Sequence, residues 1–453
     1  MTLQNDFDKL HSIAYYSLSG PDALSVLRVV GPATSAGLKV VYGVDNGIIN
    51  VGAVNEGDIV VLQRDICKHH DSYEAITSLA HSQKKPVIFD LDDLLFELPD
   101  NHPDRLTGYY TEALLPMLQA VIEADLVTVA TEPLRDYLLP FNEKIEVIPN
   151  YLNDTLWSFR NFEKPPAQDD VITIGYMGGH SHKPDLLLVL PALRIIKEKY
   201  PHRIRYHFWG IEPPEELIEI SQIDWCPPKS YEYRDFVNFF QTQRADIAIA
   251  PLCDNLFNSC KSPIKFMEYG AVGIPGIYSD VKPYSNIVTN GEDGFLASSY
   301  DDWVSMLSSL IDDPNLRFKF AINALEKIKR QWLLSNNFLK QINVYQNLLD
   351  GSRVLKKETN PHLKIFQNLA TQYSEAWSKS KEFTHNLAET VSEAGTKNKI
   401  LSDQLDKKTA LIKNLLMTNE ELNNEIMSYV MSKSWRYTRS LRKLSLKLRR
   451  VFK

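Results

Sequence analysis

Short apolar runs alternate with helix-like stretches along the first part of the chain. The apolar runs predict strands at Ser12–Ser17, Lys39–Tyr42, Ile59–Gln63, Val87–Asp90, Leu126–Ala130 and Ile145–Pro149. The segments between them have apolar residues at helical spacing and predict helices, for example at Asp22–Val30, Tyr73–Ser82 and Glu112–Glu123. Because strands that alternate with helices form parallel sheets covered on both faces, residues 1–161 are predicted to form a doubly wound α/β domain.

A second series with the same rhythm follows a polar, proline-containing bridge at 161–170. It predicts strands at Val171–Met177, Ile204–Trp209, Ile247–Pro251 and Ile274–Ser279. It predicts helices at Asp185–Lys199, Phe236–Arg244, Tyr300–Ile311 and Leu316–Gln331. We therefore expect residues 171–350 to form a second α/β domain. Two such domains leave a cleft between them, and ligands of open α/β sheets bind at the carboxyl ends of the strands.

The pattern changes after Asp350. Residues 351–372 are predicted to be a linker, and heptad spacing then runs from Tyr373 to Tyr429 with about twelve of seventeen a and d positions apolar. This predicts a coiled coil over residues 373–430, through which the chain forms a homodimer or binds a partner protein. Asn398 and Asn419 at a positions favour a parallel dimer in fixed register. The alternative is a helix packed on the body of the protein.

The last segment is strongly basic, since Ser428–Lys453 contains nine Lys or Arg residues and no acidic residue. A helix over residues 431–453 has an apolar stripe opposite its arginines, which predicts a helix lying on an anionic membrane surface. The residues expected at that surface are Trp435, Arg439, Leu441, Arg442, Leu444 and Leu448. A nucleic-acid tail and a protein-docking helix are the alternatives, but a nucleic-acid tail needs no apolar stripe.

Composition narrows the class of protein. The 453 residues carry a net charge of −7, which gives no reason to expect nucleic-acid binding, and 44% hydrophobic residues suffice for real cores. The four cysteines form no Cys-x-x-Cys pair and are typical of reduced thiols. The first residues lack the regions of a signal peptide, and no run approaches the roughly eighteen apolar residues that span a bilayer. We expect a cytoplasmic protein.

The segment Lys261–Asp280 carries the clearest candidate chemistry. Pro263 suits the first turn of a helix, Gly273 suits its end, and Lys265 and Glu268 share one face. Free N–H groups at a helix N-terminus, together with Lys261 and Lys265, form a place to hold phosphate. Glu268, one turn further along, suits sugar hydroxyls. The alternative is an ordinary amphipathic helix with solvated lysines.

A Gly-Gly turn opens the second domain. Gly178 and Gly179 join a predicted strand to a helix, and such a turn lets the backbone approach an anionic ligand. His180 and His182 follow, and solvated loop histidines are the ordinary interpretation of both. Neither is predicted to bind a metal.

Three carboxylates follow a strand of the first domain. Asp90, Asp92 and Asp93 lie at the end of the apolar run Val87–Asp90, which is the ligand-binding edge of an open sheet. They suit the hydroxyl groups of a ligand, a catalytic base or a divalent ion. The alternative is that they only cap a helix.

Residues 171–333 resemble the donor domain of retaining GT-B glycosyltransferases of family four, the glycosyl transferases group 1. The resemblance is carried by the Gly178–Gly179 turn with Lys183 after it, and by the sequence Lys-Ser-Pro-Ile-Lys-Phe-Met-Glu-Tyr from Lys261. The family usually has a glutamate where this chain has Cys260. The first domain resembles the family more loosely, at a Pro-Asn loop of residues 148–151 near the cleft.

The resemblance implies residue roles. Lys183 and Lys265 are expected to be catalytic by neutralising the leaving diphosphate. The donor is expected to contact Gly178, Gly179, His180, Lys261 and Glu268, with Glu268 on the nucleotide ribose. The acceptor is expected at Asp90, Asp92 and Asp93. No metal or other cofactor is expected, and the helix around Trp332 is expected to cross back to the first domain.

The implied function is sugar transfer from a nucleotide-diphosphate donor to a lipid-linked glycan, with retention, in O-antigen, capsule or exopolysaccharide synthesis. The end of the chain is also similar to a Ser-x-Ser-Trp-Arg pattern of bacterial surface-polysaccharide enzymes. The protein is then expected on the inner face of the membrane. The alternative is a non-catalytic GT-B-like scaffold that recruits other polysaccharide enzymes through its coiled coil and basic tail.

Overall fold

The structure is a computed structural model that describes residues 9–20, 22–161, 171–218, 223–228, 230, 232–351, 369, 371–373, 377, 379–380, 382, 384 and 399–431. Side chains are not described for residue 180 or for residues 399–408 and 426–431. The chain forms two compact units, Met1–Ser374 and Glu375–Lys453.

The first domain is built on a parallel sheet, as predicted. Its strands are β1 (Ser12–Tyr16), β2 (Lys39–Tyr42), β5 (Ile59–Gln63), β6 (Val87–Leu91), β7 (Leu126–Val129) and β8 (Ile145–Val147), in the order β2-β1-β5-β6-β7-β8. The short antiparallel pair β3 (Val44–Asp45) and β4 (Ile48–Ile49) lies between β2 and β5 in sequence. The six strand predictions for this domain are thus confirmed to within two residues at their ends.

Helices cover this sheet. They are α1 (Ala23–Ser25), a π-helical turn (Val26–Val30), α2 (Gly31–Ser35), α3 (His70–Ser82), α4 (Pro103–Leu106), α5 (Thr111–Glu123) and α6 (Glu132–Leu138). Short 3-10 helices lie at Val51–Glu56, Arg64–Lys68 and Leu95–Glu97. The predicted helix over Asp22–Val30 therefore contains a π turn, a rare geometry that often marks functional sites.

The second domain has a parallel sheet in the order β11-β10-β9-β12-β13-β14. Its strands are β9 (Ile172–Gly178), β10 (Ile204–Gly210), β11 (Ile223–Cys226), β12 (Ile247–Ala250), β13 (Gly276–Ser279) and β14 (Phe295–Ala297). Strands β11 and β14 were not predicted, because both are short edge strands and neither contains a long apolar run. The sheet order reverses between β9 and β12, and ligands bind at such a point in doubly wound folds.

The helices of this domain are α7 (Lys183–Lys199), α8 (Glu215–Ile218), α9 (Tyr233–Phe240), α10 (Leu256–Ser259), α11 (Ile264–Ala271), α12 (Tyr300–Asp312) and α13 (Pro314–Gln331). Short 3-10 helices lie at His180–His182 and Tyr284–Asn286. Gly273 follows α11 with a φ of 70°, which confirms the predicted glycine end of that helix.

The chain then returns to the first domain. The Leu152 N–H donates to the Trp332 carbonyl at 2.9 Å, and the Leu334 N–H donates to the Leu152 carbonyl at 2.8 Å. Helix α14 (Leu334–Gly351) follows and buries Ile342 and Tyr345 against the first domain. The predicted crossing near Trp332 is therefore confirmed.

The second unit contains helix α15 (Lys399–Met431), which spans the later half of the predicted coiled coil. Its apolar residues Leu411, Ile412, Leu415, Leu416 and Leu422 are exposed. Tyr373, the first predicted heptad position, belongs to the other unit and donates from its hydroxyl to the Thr111 carbonyl at 3.0 Å. Asn398 and the six residues predicted at a membrane surface, from Trp435 to Leu448, lie outside the described residues.

Helices that could cross a membrane were sought throughout the described ranges. None of these helices is both long enough and apolar enough to do so.

Candidate active site

A cavity of about 280 Å³ lies between the two parallel sheets, at the carboxyl ends of their strands. The first domain contributes residues from the helical segment after β1 and from the loops after β6 and β8. The second domain contributes residues from the segment after β9, the loop after β12 and the start of α11. The lining residues are Ala23, Leu24, Leu27, Arg28, Asp92, Asp93, Asn150, Ser181, His182, Leu252, Lys261, Ser262, Ile264, Lys265, Glu268, Pro283 and Tyr284.

The start of α11 forms one wall of this cavity. Helix α11 begins directly after Pro263. The first N–H groups of a helix have no partner within that helix. The Ser262 hydroxyl beside them is buried and has no hydrogen-bond partner among the described residues. Lys261, whose ammonium lies 4.4 Å from the centre of the Phe257 ring, also lines the cavity. This wall therefore combines hydrogen-bond donors with positive charge, which suits an anionic ligand.

Lys265 lies in the first turn of α11 and lines the cavity. The residue is only 7% exposed. Burial and the positive charge of Lys261 lower the pKa of Lys265 to about 8. Lys265 is therefore mostly charged at neutral pH. Its Nζ lies 3.1 Å from Nε2 of His182, so this histidine is not the solvated loop residue that the ordinary interpretation predicts.

His182 is held from its other side by Asp185. Nδ1 of His182 lies 2.8 Å from Oδ2 of Asp185, one turn into α7. Burial and the positive charge of Lys265 lower the pKa of His182 to about 3, so the imidazole is neutral at physiological pH. The sequence did contain a signal, because a His and an Asp three residues apart at a helix start share one face.

Glu268 lies one turn beyond Lys265 on α11 and also lines the cavity. Its side chain is nearly buried, and this burial raises the pKa of Glu268 to about 8, although the charge of Lys265 acts in the opposite direction. The two residues predicted to share a helix face thus reach the same cavity. Their ionisation states respond to each other, because each lies in the other's field.

Two of the three predicted acceptor carboxylates line the opposite wall. Asp92 accepts from Arg64 at 2.8 Å, and Asp93 lies 3.7 Å from the same guanidinium. Burial raises the pKa of Asp92 to about 6 in spite of Arg64. Burial also acts to raise the pKa of Asp93, but the charges of Lys261 and Arg64 outweigh it and lower that pKa. Asp93 therefore carries a negative charge opposite the lysine of the other domain.

Asp90 differs from its neighbours and does not line the cavity. Its carboxylate is fully buried and pairs with Arg28 at 2.7 Å. Thr128 donates to it at 2.7 Å and Gln63 at 3.1 Å. These protein partners occupy the Asp90 oxygens, so the expectation that Asp90 meets an acceptor is replaced by a structural role. Asp90 lies within the buried strand β6, whereas Asp92 and Asp93 follow the end of that strand at Leu91.

Arg28 and Asn150 are cavity residues that the sequence analysis did not name as site residues. Arg28 lies in the π-helical turn after β1, and its Nη1 donates to the Ile148 carbonyl and to Oδ1 of Asn150, the latter at 3.2 Å. The available signal was the Pro-Asn loop of residues 148–151, which the sequence analysis placed near the cleft and which contains Asn150. Nothing in the sequence near Arg28 predicts this position.

The Gly-Gly turn lies beside the cavity without lining it. A Cβ on Gly178 would come within 2.7 Å of the Tyr176 hydroxyl, so that glycine is required by internal packing, whereas Gly179 has open space around it. Lys183 is exposed at the first position of α7 and does not line the cavity. The helical turn from His180 to His182 instead brings His182 inward. The side chain of His180 lies outside the described part of the chain.

Cys260, which stands where the resembling family has a glutamate, is fully buried. Its carbonyl accepts from the Thr131 hydroxyl of the first domain at 2.7 Å. Cys260 and Phe257 pack into the hydrophobic core of that domain. This position therefore joins the two domains and presents no carboxylate to the cavity.

Comparison with known proteins defines the class of protein. Residues 170–313 match the model of the family described as Glycosyl transferases group 1. The matched region contains Lys261, Lys265 and Glu268 as well as the Gly178–Gly179 turn. No curated protein sequence matches the chain.

Solved structures share the fold. Sucrose-phosphate synthase from Thermosynechococcus elongatus is 14% identical, with a TM-score of 0.53 over 75% of this chain and 99% of that chain. HepE from Anabaena, in complex with UDP and glucose, is 12% identical, with a TM-score of 0.52 over 74% of this chain and 100% of that chain. Residues 170–313 are thus similar to the glycosyl transferases group 1 family, the two α/β domains share the GT-B fold of these structures, and the chain is a glycosyltransferase.

Proposed function

We propose that the chain transfers a sugar from a nucleotide-diphosphate donor to a glycan acceptor, with retention of the anomeric configuration. The observation that carries this proposal is the wall at the start of α11. There, the buried ammonium of Lys265 and the unpartnered Ser262 hydroxyl line the cavity beside a helix N-terminus. Such a wall suits a diphosphate.

The wall would act on the leaving group. When the bond between the anomeric carbon and the diphosphate loosens, negative charge grows on the β-phosphate oxygen, and fixed positive groups aimed at that oxygen lower the barrier. We assign this role to Lys265, with Lys261 as the second cation. Lys183 was the sequence-based candidate for that second role, but its exposure outside the cavity argues for Lys261.

Glu268 would hold the donor by accepting hydrogen bonds from ribose hydroxyls, because it lies one turn deeper on the same helix face as Lys265. We assign no separate base. In front-face transfer with retention, the leaving phosphate itself accepts the proton of the acceptor hydroxyl. The charged Asp93 and its neighbour Asp92 face this wall from the first domain and suit hydroxyls of the acceptor. No metal or other cofactor enters the proposal.

The first donor to test is a uridine nucleotide sugar. HepE, one of the structural neighbours, is described in complex with UDP-glucose. We infer that the acceptor is a lipid-linked glycan of O-antigen, capsule or exopolysaccharide synthesis. The support for this comes from the basic apolar-striped tail, which suits an enzyme that works on the inner face of a membrane.

Isothermal titration with UDP and UDP-glucose tests the donor site. We expect Lys265→Ala to weaken binding roughly ten- to hundredfold, because a charge-assisted hydrogen bond to phosphate is lost. Lys319→Ala, at an exposed lysine of the same domain, is the matched control and should bind as the unmodified chain does. Equal affinity of the two variants would contradict the proposal. Proton NMR of the released or transferred sugar then reports whether the anomeric configuration is retained.

One observation favours the non-catalytic scaffold as a second candidate. Cys260 replaces the glutamate expected near the donor sugar and is buried between the domains. A scaffold predicts that UDP-glucose binds without being hydrolysed or transferred, with or without an added glycan acceptor. Turnover of UDP-glucose that disappears in Lys265→Ala would exclude the scaffold.

A further inference from the structure

Three side chains from two helices form a continuous hydrogen-bonded chain at the cavity. Asp185 and His182 come from α7 and the turn before it, and Lys265 comes from α11. The distances are 2.8 Å from Asp185 Oδ2 to His182 Nδ1 and 3.1 Å from His182 Nε2 to Lys265 Nζ. The sequence separation between His182 and Lys265 is large, so the pairing arises only in the folded domain.

The partners of Asp185 determine which nitrogen of His182 carries hydrogen. Oδ1 of Asp185 accepts from the Cys253 N–H at 2.8 Å and from Nδ2 of Asn258 at 3.0 Å. Oδ2 is left for His182. Burial acts to raise the pKa of Asp185, but the hydrogen bond from His182 and the Cys253 N–H outweigh it and lower that pKa, so the carboxylate is ionised and can only accept. Nδ1 of His182 must therefore donate, and its Nε2 lone pair faces the Lys265 ammonium.

We propose that His182, oriented by Asp185, is a positioning residue that fixes the ammonium of Lys265 for a diphosphate in the cavity. Lysine has a flexible stem and three N–H donors. The His182 lone pair takes one donor and leaves two for phosphate oxygens. This inference rests on the proposed function for the identity of the ligand, while the arrangement of the three side chains is independent of it.

Other roles fit His182 less well. A general base needs a free lone pair, but the lone pair of Nε2 is engaged by Lys265. A purely structural role does not explain why His182 contacts the buried ammonium of Lys265 in a ligand cavity. That contact disfavours the charged form of the imidazole itself. The contact instead gives Lys265 a neutral acceptor, which allows a positive charge to remain in a site with little solvent.

Asp185→Asn provides a sharp test, because the surrounding bonds fix how the new amide is oriented. The Asn oxygen must take the position that accepts from Cys253 and Asn258, since both are donors. The amide nitrogen then donates to Nδ1 of His182, and the ring hydrogen moves to Nε2, where it opposes the Lys265 ammonium. The variant keeps the shape of the side chain but inverts the tautomer.

Nitrogen-15 NMR of the ring nitrogens in the unliganded protein of residues 1–453 checks the arrangement, with His182 assigned from its loss in His182→Gln. We expect His182 to be neutral, with hydrogen on Nδ1, from pH 5 to 8, and Asp185→Asn to move that hydrogen to Nε2. An unmodified His182 that titrates near the usual histidine value of about 6.5, or that carries hydrogen on Nε2, would overturn the proposal. Thermal unfolding shows whether each variant is folded.

Titration with UDP checks the consequence. We expect His182→Leu and Asp185→Asn each to weaken UDP binding roughly tenfold or more, and His182→Gln to recover part of the loss because its amide oxygen can accept from Lys265. His182→Leu added to Lys265→Ala should cause little further loss, since both act through one ammonium. Unchanged affinity in His182→Leu would reject the positioning role. If UDP fails to bind even the unmodified chain, the proposed donor is wrong. The arrangement of Asp185, His182 and Lys265 is then accepted or rejected from the NMR result alone.

Discussion

The carboxyl group of Glu268 is buried, and this burial disfavours its charged form. Its folded pKa, raised by burial to about 8, lies well above the ordinary glutamate value of 4.5. When the pKa of an acid is higher in the folded state, the stability that this group contributes is fully present below its unfolded-state pKa. That contribution is lost as the pH rises through its folded-state pKa. The free energy of unfolding of the second domain should therefore fall progressively as the pH rises from about 4.5 to about 8.

Glu268→Gln removes this ionisation. We expect the variant to gain about 2 kcal/mol relative to the unmodified chain on going from pH 5 to pH 8, since each pKa unit corresponds to ~1.4 kcal/mol and nearby solvent reduces the full effect. Calorimetric unfolding at both pH values measures the difference. A parallel loss of stability in the two proteins would show that Glu268 ionises normally. UDP binding should weaken in the same variant.

Asp90 and Asp92 are two residues apart, yet we expect their substitutions to act differently. Asp90→Ala leaves the Arg28 guanidinium buried without its counter-ion and should destabilise the first domain by about 3–5 kcal/mol. Asp92→Asn should remain folded, because Asp92 is partly exposed, and should lower sugar transfer to an acceptor. Thermal unfolding and a transfer assay separate the two effects. Comparable melting temperatures for both variants would contradict the structural role of Asp90.

Helix α15 has exposed apolar side chains at the predicted heptad positions. Leu415 and Leu422 at d positions and Ile412 at an a position are about half exposed, at 59%, 46% and 58%. Asn419 lies between them at an a position. We propose that a second copy of the chain covers this stripe, because asparagine at an a position favours a parallel dimer in register.

Charges placed on the stripe test self-association. We expect Leu415→Asp combined with Leu422→Asp to convert a dimer to a monomer in sedimentation equilibrium of residues 1–453. Met417, which is 53% exposed and lies outside the a and d positions, provides the control Met417→Asp, which should stay dimeric. A monomer before any substitution would instead favour a partner enzyme on this helix.

At the scale of the whole molecule, the two domains are joined by more than their linker. The chain crosses at Trp332, where backbone hydrogen bonds to Leu152 hold the crossing. Helix α14 then packs on the first domain, and Gln341 donates to the Arg28 carbonyl at 2.7 Å. The crossover helix thus supports the buried pair of Arg28 and Asp90 at the edge of the cavity. The position of one cavity wall therefore depends on helix α14, which follows the second domain in the chain.

The location of the protein is a prediction at the same scale. We propose that residues 431–453 hold the chain on anionic membranes. Deletion of residues 434–453 should release it from vesicles that contain phosphatidylglycerol, because the basic residues and the apolar stripe act together. Cosedimentation with these vesicles, compared with neutral vesicles, measures the effect. Retention of the deleted protein on anionic vesicles would contradict the role of the tail.

The elements that local patterning controls were predictable from the amino-acid sequence. Apolar runs gave the central strands of both sheets, and Pro263 and Gly273 marked the ends of α11 to within one or two residues. Short edge strands such as β11 were missed, because pairing with a neighbour stabilises them more than their own composition does. The shared face of Lys265 and Glu268 on α11 was also predictable, since a helix with known ends fixes which residues share a face.

Which polar residues contact each other became known only from the folded structure. His182 and Lys183 are adjacent in sequence, yet one is held by Asp185 and Lys265 while the other is exposed. Asp90 and Asp92 belong to one acidic run, yet Arg28 draws Asp90 alone into the core. Lys265 and Arg28, the partners that decide these outcomes, lie far away in the chain, and burying a charge is tolerated only where such a partner is present. Local pattern contains no information about that partner, so the ionised and hydrogen-bonded groups of the site had to come from the fold.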